Sequence, residues 1–207
     1  MFTGLVECMG RLKSARPSGS SRLLTLEADF AGELNTGESV AVGGVCLSVE
    51  TSDARSFVVT AVAETLSRST LGTSRPGQTL NLERSLRLSD RLGGHLVTGH
   101  IDCVGRVQSH AEGAGGRLLA VEFPVDFDPL VVDKGSIAVD GVSLTVVSAR
   151  SGGFTVALIP HTGSATTLGS LKAGDRVNLE FDLVAKYIWR QRPGFRGREV
   201  QEENVRV

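Results

Sequence analysis

The amino-acid sequence is written twice, and this repeat constrains the fold more than any other feature of the chain. Thr3-Gly4-Leu5-Val6-Glu7-Cys8-Met9-Gly10-Arg11 returns as Thr98-Gly99-His100-Ile101-Asp102-Cys103-Val104-Gly105-Arg106, with 5 of 9 positions identical at an offset of 95. The block from Ser39 to Val49 returns as Ser136 to Val146, with 7 of 11 identical at an offset of 97. The same offset holds for Thr65 to Gly72 against Thr162 to Gly169 and for Gly77 to Glu83 against Gly174 to Glu180, so copy two gains two residues between its first two blocks. A unit of about 90 residues is too long for a solenoid or propeller repeat. The pattern predicts tandem domains of one fold, residues 1–94 and 95–182, joined near Arg91-Leu92-Gly93-Gly94, where a glycine pair can bend. Residues 183–207 have no counterpart in copy one.

Within each copy the apolar spacing has period two. Leu80 and Leu82 alternate with Asn81 and Glu83, and Val177, Leu179 and Phe181 with Asn178, Glu180 and Asp182, as in strands with one buried and one solvated face. With 25 glycines and only 5% aromatic residues, the core is built from Val, Leu and Ala. The expectation is an all-β chain. A small closed antiparallel barrel in each copy removes exposed sheet edges, and a two-sheet sandwich is the alternative. Leu183 to Arg192 places Val184, Tyr187 and Ile188 on one helical stripe closed by Pro193-Gly194. That stripe either packs on its own barrel or meets another subunit.

The charge balance removes several function classes. With 22 Lys+Arg against 23 Asp+Glu, there is no broad positive field for nucleic acid or an anionic membrane. No apolar run approaches a membrane span, and Met1 leads into Phe-Thr-Gly without a signal segment, so a soluble, unexported chain is expected. Cys8, Cys46 and Cys103 are in no metal-ligand spacing and are odd in number, which fits a reducing cytoplasm without disulfides. His95 and His100 fall on opposite faces of an extended segment, so no metal site is expected.

Positions alike in both copies belong to the frame, and positions that differ are candidates for function. Val45, Leu47 and Val49, with Val142, Leu144 and Val146, lie on one strand face. The other face carries Cys46 and Ser48 in copy one, and Ser143 and Thr145 in copy two. Such pairs, roughly 7 Å apart along a strand, suit a flat heterocycle, although small polar residues on a solvated face are the commoner case. The Gly43-Gly44 and Asp140-Gly141 turns just before them admit a ligand or another backbone. Three ionisable groups are peculiar to copy two: His100 replaces Leu5, Lys134 replaces Gly37, and Asp182 replaces Ser85. With Ser143 and Thr145 they make an acid/base set if the fold unites them.

Met1-Phe2-Thr3-Gly4, the run from Gly93 to His100, Asp140-Gly-Val-Ser-Leu-Thr145, Leu158-Ile-Pro-His-Thr162 and Val177-Asn-Leu-Glu-Phe-Asp182 together resemble the riboflavin synthase family of the alpha-chain type, over residues 1 to about 190. The resemblance implies two six-stranded Greek-key barrels and a C-terminal helix that holds a homotrimer. It implies conversion of two molecules of 6,7-dimethyl-8-ribityllumazine into riboflavin and 5-amino-6-ribitylamino-2,4-pyrimidinedione, without cofactor or metal, with lumazine synthase as a further partner. Donor and acceptor of the four-carbon unit are the same compound, which gives the duplication a reason. The alternative class is a lumazine-binding antenna protein that holds the chromophore without turnover.

Carried over position by position, the first pocket takes Gly4, Leu5 and Val6, Cys46, Leu47 and Ser48, and Thr60-Ala61-Val62-Ala63-Glu64-Thr65, with Phe2 also lining it. The second takes Gly99, His100 and Ile101, Lys134, Ser143, Leu144 and Thr145, and Ile159-Pro160-His161-Thr162-Gly163-Ser164. Backbone groups of these segments, expected to be extended, pair with the pyrimidine edge. His100, Ser143, Thr145, Asp182 and Cys46 are the expected catalytic set.

Overall fold

The computed structural model describes residues 1–113 and 116–191. Barrel 1 contains β1 (Cys8–Ser18), β2 (Ser21–Glu27), β3 (Ser39–Val42), β4 (Val45–Ser52), β5 (Ser56–Ala61) and β6 (Thr79–Arg84). Barrel 2 repeats them as β7 (Cys103–Gly113), β8 (Gly116–Glu122), β9 (Ser136–Val139), β10 (Val142–Arg150), β11 (Gly153–Leu158) and β12 (Arg176–Phe181). Each set closes into an antiparallel barrel of Greek-key order, β1-β2-β5-β4-β3-β6 and its counterpart, so the barrel expectation holds over the sandwich. Bulges fall at equivalent places, Leu12/Ser14 and Val107/Ser109, and Val49/Thr51 and Val146/Ser148, where they bend strands sharply enough to close a six-stranded ring. The inward faces make two separate cores, one around Leu24, Val40 and Phe57, the other around Leu119, Ile137 and Phe154.

The solvated face expected for β6 and β12 does not exist. Asn81 and Asn178 are 1% exposed, Glu83 5% and Glu180 2%. They are polar because they form the seam between the barrels, where each buried group finds a partner. Asn81 Nδ2 donates to the carbonyl of Asp140 and its Oδ1 accepts from Thr167 N. Asn178 reciprocates, donating to the carbonyl of Gly43 and accepting from Thr70 N. The Gly43-Gly44 and Asp140-Gly141 turns meet here. A Cβ on Gly44 would stand 2.6 Å from Gly141 N, so the close approach these turns permit is that of one another's backbone.

The segments preceding β1 and β7 are arms that cross the seam. Phe2 pairs with Val97 in an antiparallel bridge, and both side chains are sealed between the barrels with Ala41 and Ala138. Glu83 Oε1 accepts from the amide and hydroxyl of Thr3, and its Oε2 from Gly4 N at 3.0 Å. Glu180 holds Thr98 and Gly99 in the same way.

Short helices follow the fifth strands: α1 (Ala63–Arg68) and α2 (Pro160–Ala165). They replace the extended backbone expected from Ala63 to Thr65 and from Pro160 to Ser164. The C-terminal helix α3 (Leu183–Arg190) begins as expected, capped by Asp182, whose Oδ1 accepts from Val184 N at 2.8 Å. Its stop at Pro193-Gly194 lies outside the described residues. Val184, Tyr187 and Ile188 are 55%, 64% and 64% exposed, so the stripe is not buried on its own barrel. Among the described residues no helix is long and apolar enough to cross a membrane.

Candidate functional site

The crossed arms decide how the pockets are built. Cys46 N donates to the carbonyl of Gly99 at 2.8 Å, and Ser143 N to the carbonyl of Gly4 at 2.8 Å. Each arm therefore docks on the β4-type strand of the other barrel. Gly4 and Gly99 have φ of 76° and 80°, and a Cβ on either would lie 2.5 Å from the Cβ of Ser143 or Cys46. Only glycine permits that approach. The expected grouping is thereby exchanged: within the chain, Gly99, His100 and Ile101 belong with Cys46, and Gly4, Leu5 and Val6 with Ser143. Comparing copies in order along the sequence pairs each arm with its own barrel, and only the crossing shows otherwise.

The first pocket is a cavity of about 460 Å³ bounded by Cys46 of β4, Glu64, Thr65 and Arg68 of α1, the arm from Gly99 to Asp102, and Phe127 of barrel 2. Glu64 Oε1 accepts from Arg68 Nε at 2.6 Å, one helical turn apart. His100 is exposed and precedes β7 rather than lying in it. Asp102, which copy comparison passed over, accepts from Phe181 N and pairs with Lys186 Nζ at 2.6 Å, tying α3 to the arm. Its burial raises its carboxyl pKa, and the Lys186 charge opposes that. Phe2 is fully buried in the seam and does not line this cavity. Leu47 is turned into its barrel core, so any contribution from it is through backbone. Ser48 stands exposed on β4, while Thr60 and Ala61 close β5, with Val62 leading into α1.

Part of the set expected for the second pocket gathers around Ser143. Its Oγ lies 2.6 Å from His95 Nδ1, a contact the sequence reading did not anticipate. His95 sits ahead of the repeated blocks, so comparing copies cannot single it out. Gly94 makes the approach possible, because a Cβ there would stand 2.1 Å from the carbonyl of Thr3. Burial holds the His95 pKa below its ordinary value, and the charges of Asp182 and Glu180 oppose the shift. A neutral imidazole can accept the serine proton at Nδ1. The buried His95 Nε2 has no partner among the described residues. Asp182 thus reaches the set through its charge while its Oδ1 caps α3.

The other expected residues divide. Thr145 is exposed on β10 opposite Ser136, and Leu144 faces the core. Lys134 occupies a turn at φ 64°, its amide donating to Val146. Ile159, Pro160, Gly163 and Ser164 line a separate, largely apolar cavity of about 360 Å³ beside Arg117. Gly163 stands where copy one has Leu66, which packs on the core of barrel 1. His161 and Thr162 lie on the same helix outside that cavity.

A family model described as the lumazine binding domain matches twice, at residues 3–85 and 98–182. The chain is 43% identical over 195 residues to a riboflavin synthase of Mycobacterium tuberculosis (strain ATCC 25618 / H37Rv), covering 92% of this chain and 97% of that one. It is 35% identical over 195 residues to a riboflavin synthase of Bacillus subtilis (strain 168), covering 92% and 89%. Among solved structures, LumP complexed with riboflavin superposes with a TM-score of 0.81 at 21% identity, covering 87% of this chain and 99% of that one. LumP complexed with 6,7-dimethyl-8-(1'-D-ribityl) lumazine gives 0.78 at the same identity, covering 87% and 98%. That likeness is one of fold.

Proposed function

The chain belongs to the riboflavin synthase family, built on two lumazine-binding domains, and from that footing we propose how its residues carry out the dismutation of two 6,7-dimethyl-8-ribityllumazine molecules to riboflavin and 5-amino-6-ribitylamino-2,4-pyrimidinedione. The observation that carries the proposal is the 2.6 Å contact between Ser143 Oγ and His95 Nδ1 beside the Gly4 arm. The reaction needs a proton removed from the C7 methyl of one lumazine and a nucleophile added at C7 of the other. His95, held neutral, accepts the Ser143 proton and leaves Oγ to add at C7. The Asp182 charge favours the imidazolium that results. His100 faces the first pocket and takes the proton-transfer part there, with Cys46 beside it and Thr145 exposed near Ser143. Holding two like rings in register supplies much of the rate advantage.

The two bound lumazines must face one another to react. A homotrimer joined through α3 answers that need, and the exposed Val184, Tyr187 and Ile188 supply an apolar contact for it. A cytoplasmic location, lumazine synthase as partner, and the division into 1–94, 95–182 and 183–207 complete the reading.

Purified protein given 6,7-dimethyl-8-ribityllumazine alone is expected to form riboflavin, followed by absorbance and fluorescence. Tight binding without product would move the protein to the antenna class. Sedimentation tests the assembly, and a stable active monomer would contradict an intersubunit site.

A further inference from the structure

The offset between the copies changes from 95 at Glu27 and Glu122 to 97 at Phe30 and Phe127, so the two extra residues of copy two fall between Glu122 and Phe127. Their effect can be traced ring by ring. In barrel 1, Phe30 is 6% exposed and stacks on Phe57, with ring centroids 6.4 Å apart. In barrel 2 the counterpart of Phe57 is Phe154, and the ring against it is Phe123, from the insertion, at 5.9 Å and 7% exposed. Phe123 therefore occupies the core seat that Phe30 holds in barrel 1. The equivalent of Phe30 is thereby released. Phe127 moves out along a 3-10 turn that is six residues long, Val125–Leu130, where barrel 1 has three.

It comes to rest as a wall of the first pocket, opposite barrel 1. One face of the ring stacks on Phe181, 5.0 Å away and 24° from parallel, and Phe181 in turn meets Phe123 edge-on at 5.5 Å. A row of four rings thus runs from the core of barrel 2 to the edge of a cavity enclosed mostly by barrel 1. Phe181 is 1% exposed, so the outermost ring rests on an immobile support. A supported ring at a cavity wall is a stacking platform for a flat heteroaromatic, with its own ordering already met by the fold.

We propose that Phe127 is the aromatic platform of the first pocket and a specificity-determining residue of it, favouring fused heteroaromatic rings there and setting that pocket apart from the one at Ser143, where the equivalent Phe30 is locked in the core. This rests on the functional reading above for the class of ligand, but not on turnover. Stacking is sequence- and substituent-tolerant, so the platform serves the bicyclic lumazine and the tricyclic flavin alike.

The test is equilibrium binding of riboflavin, followed by quenching of its fluorescence, in the wild type and in Phe127→Leu, Phe127→Ala and Phe127→Tyr. Phe127→Leu keeps an apolar contact with Phe181 and is expected to weaken one of the two binding phases about tenfold, lowering the quenching at saturation. Phe127→Ala should do at least as much, and Phe127→Tyr, which keeps the ring, should restore wild-type binding. Thermal unfolding identifies any variant that has lost the fold, and the leucine–tyrosine pair then carries the comparison. Wild-type affinity and quenching in Phe127→Leu, equal weakening of both phases, or failure of Phe127→Tyr to recover would each overturn the proposal. Because only binding is read, a wild type that makes no riboflavin would sink the synthase reading and leave this result interpretable.

Discussion

Arg84 and Phe181 occupy the same place at the end of the sixth strand of their barrels, and everything around them differs. Arg84 reaches Glu7 and Glu33, each at 2.6 Å, and its guanidinium lies 5.1 Å from the Phe30 ring centroid. Its hydrogen bonds to Glu7 raise its pKa still further above an already high value. Phe181 stands among Phe123 and Phe127 with no charge to pair. One residue earlier, the sixth strands are the same: Glu83 and Glu180 hold their arms with matching sets of bonds. The strand face turned to the other barrel is fixed by a buried polar seam, where any change strands a donor. The face turned inward at the barrel end is free to diverge, and it is there that one copy acquired an ion-pair cluster and the other an aromatic wall.

The sharpest way to break this contrast is at the equivalent positions Ser143 and Cys46. Ser143→Ala or His95→Gln should lower kcat by about 10²–10⁴-fold with little change in KM, whereas Cys46→Ala should cost less than about tenfold. Equal losses would remove the asymmetry. Because burial holds His95 below its ordinary pKa, the wild-type rate should persist as pH falls through the usual imidazole range and decline only below it. His95→Gln should abolish that acid limb.

Next in size comes the seam. Glu83→Ala and Glu180→Ala each leave three donors without an acceptor and should cost about 3 kcal/mol in urea unfolding, within about 1 kcal/mol of one another. A much cheaper loss at one of them would show that the seam is not shared evenly.

Asp140 and Gly43 are also equivalent, and only Asp140 titrates. Its carboxyl is pushed up to about 7 by desolvation, although Oδ1 accepts from Asn178 N. A folded-state pKa above the unfolded value means that the proton stabilises the fold. That contribution is complete below the unfolded carboxyl pKa and is lost as pH rises through about 7. Asp140→Asn, which tolerates the same positive φ of 45° and keeps the acceptor, should therefore gain roughly 2 kcal/mol over the wild type at pH 7 relative to pH 5. A pH-independent difference would discard this account. Smallest of all, Arg84→Met should cost about 1 kcal/mol or less at low salt, shrinking as salt is added, because its ion pairs are partly exposed.

The frame was legible in the sequence because strand alternation and the repeat are local or periodic. Leu80, Leu82, Val177 and Leu179 announce buried strands wherever they are read. The seam was not legible, because Asn81 and Glu83 spell a solvated face in any isolated strand and are buried only by partners remote in the chain, Asp140 and Thr167 of the second barrel for Asn81 and the leading arm at Thr3 and Gly4 for Glu83. For the same reason the arms were assigned to the wrong pockets, and His95, which is outside the repeated blocks, was passed over. Ser143 and Cys46 could be singled out as candidates because the repeat offers an internal reference. Phe127 was hidden by its identity with Phe30, since the same residue type at equivalent positions conceals two opposite orientations.

The crossing of the arms has one more consequence. Each β4-type strand is covered by the arm of the other half of the chain, as in two proteins that have traded their leading segments and then been joined by a linker. A single barrel cut from this chain would carry an open strand of seam, a homeless arm and half of a pocket. Another copy could supply what is missing, so the duplication holds within one chain what a single barrel would need a second molecule to complete.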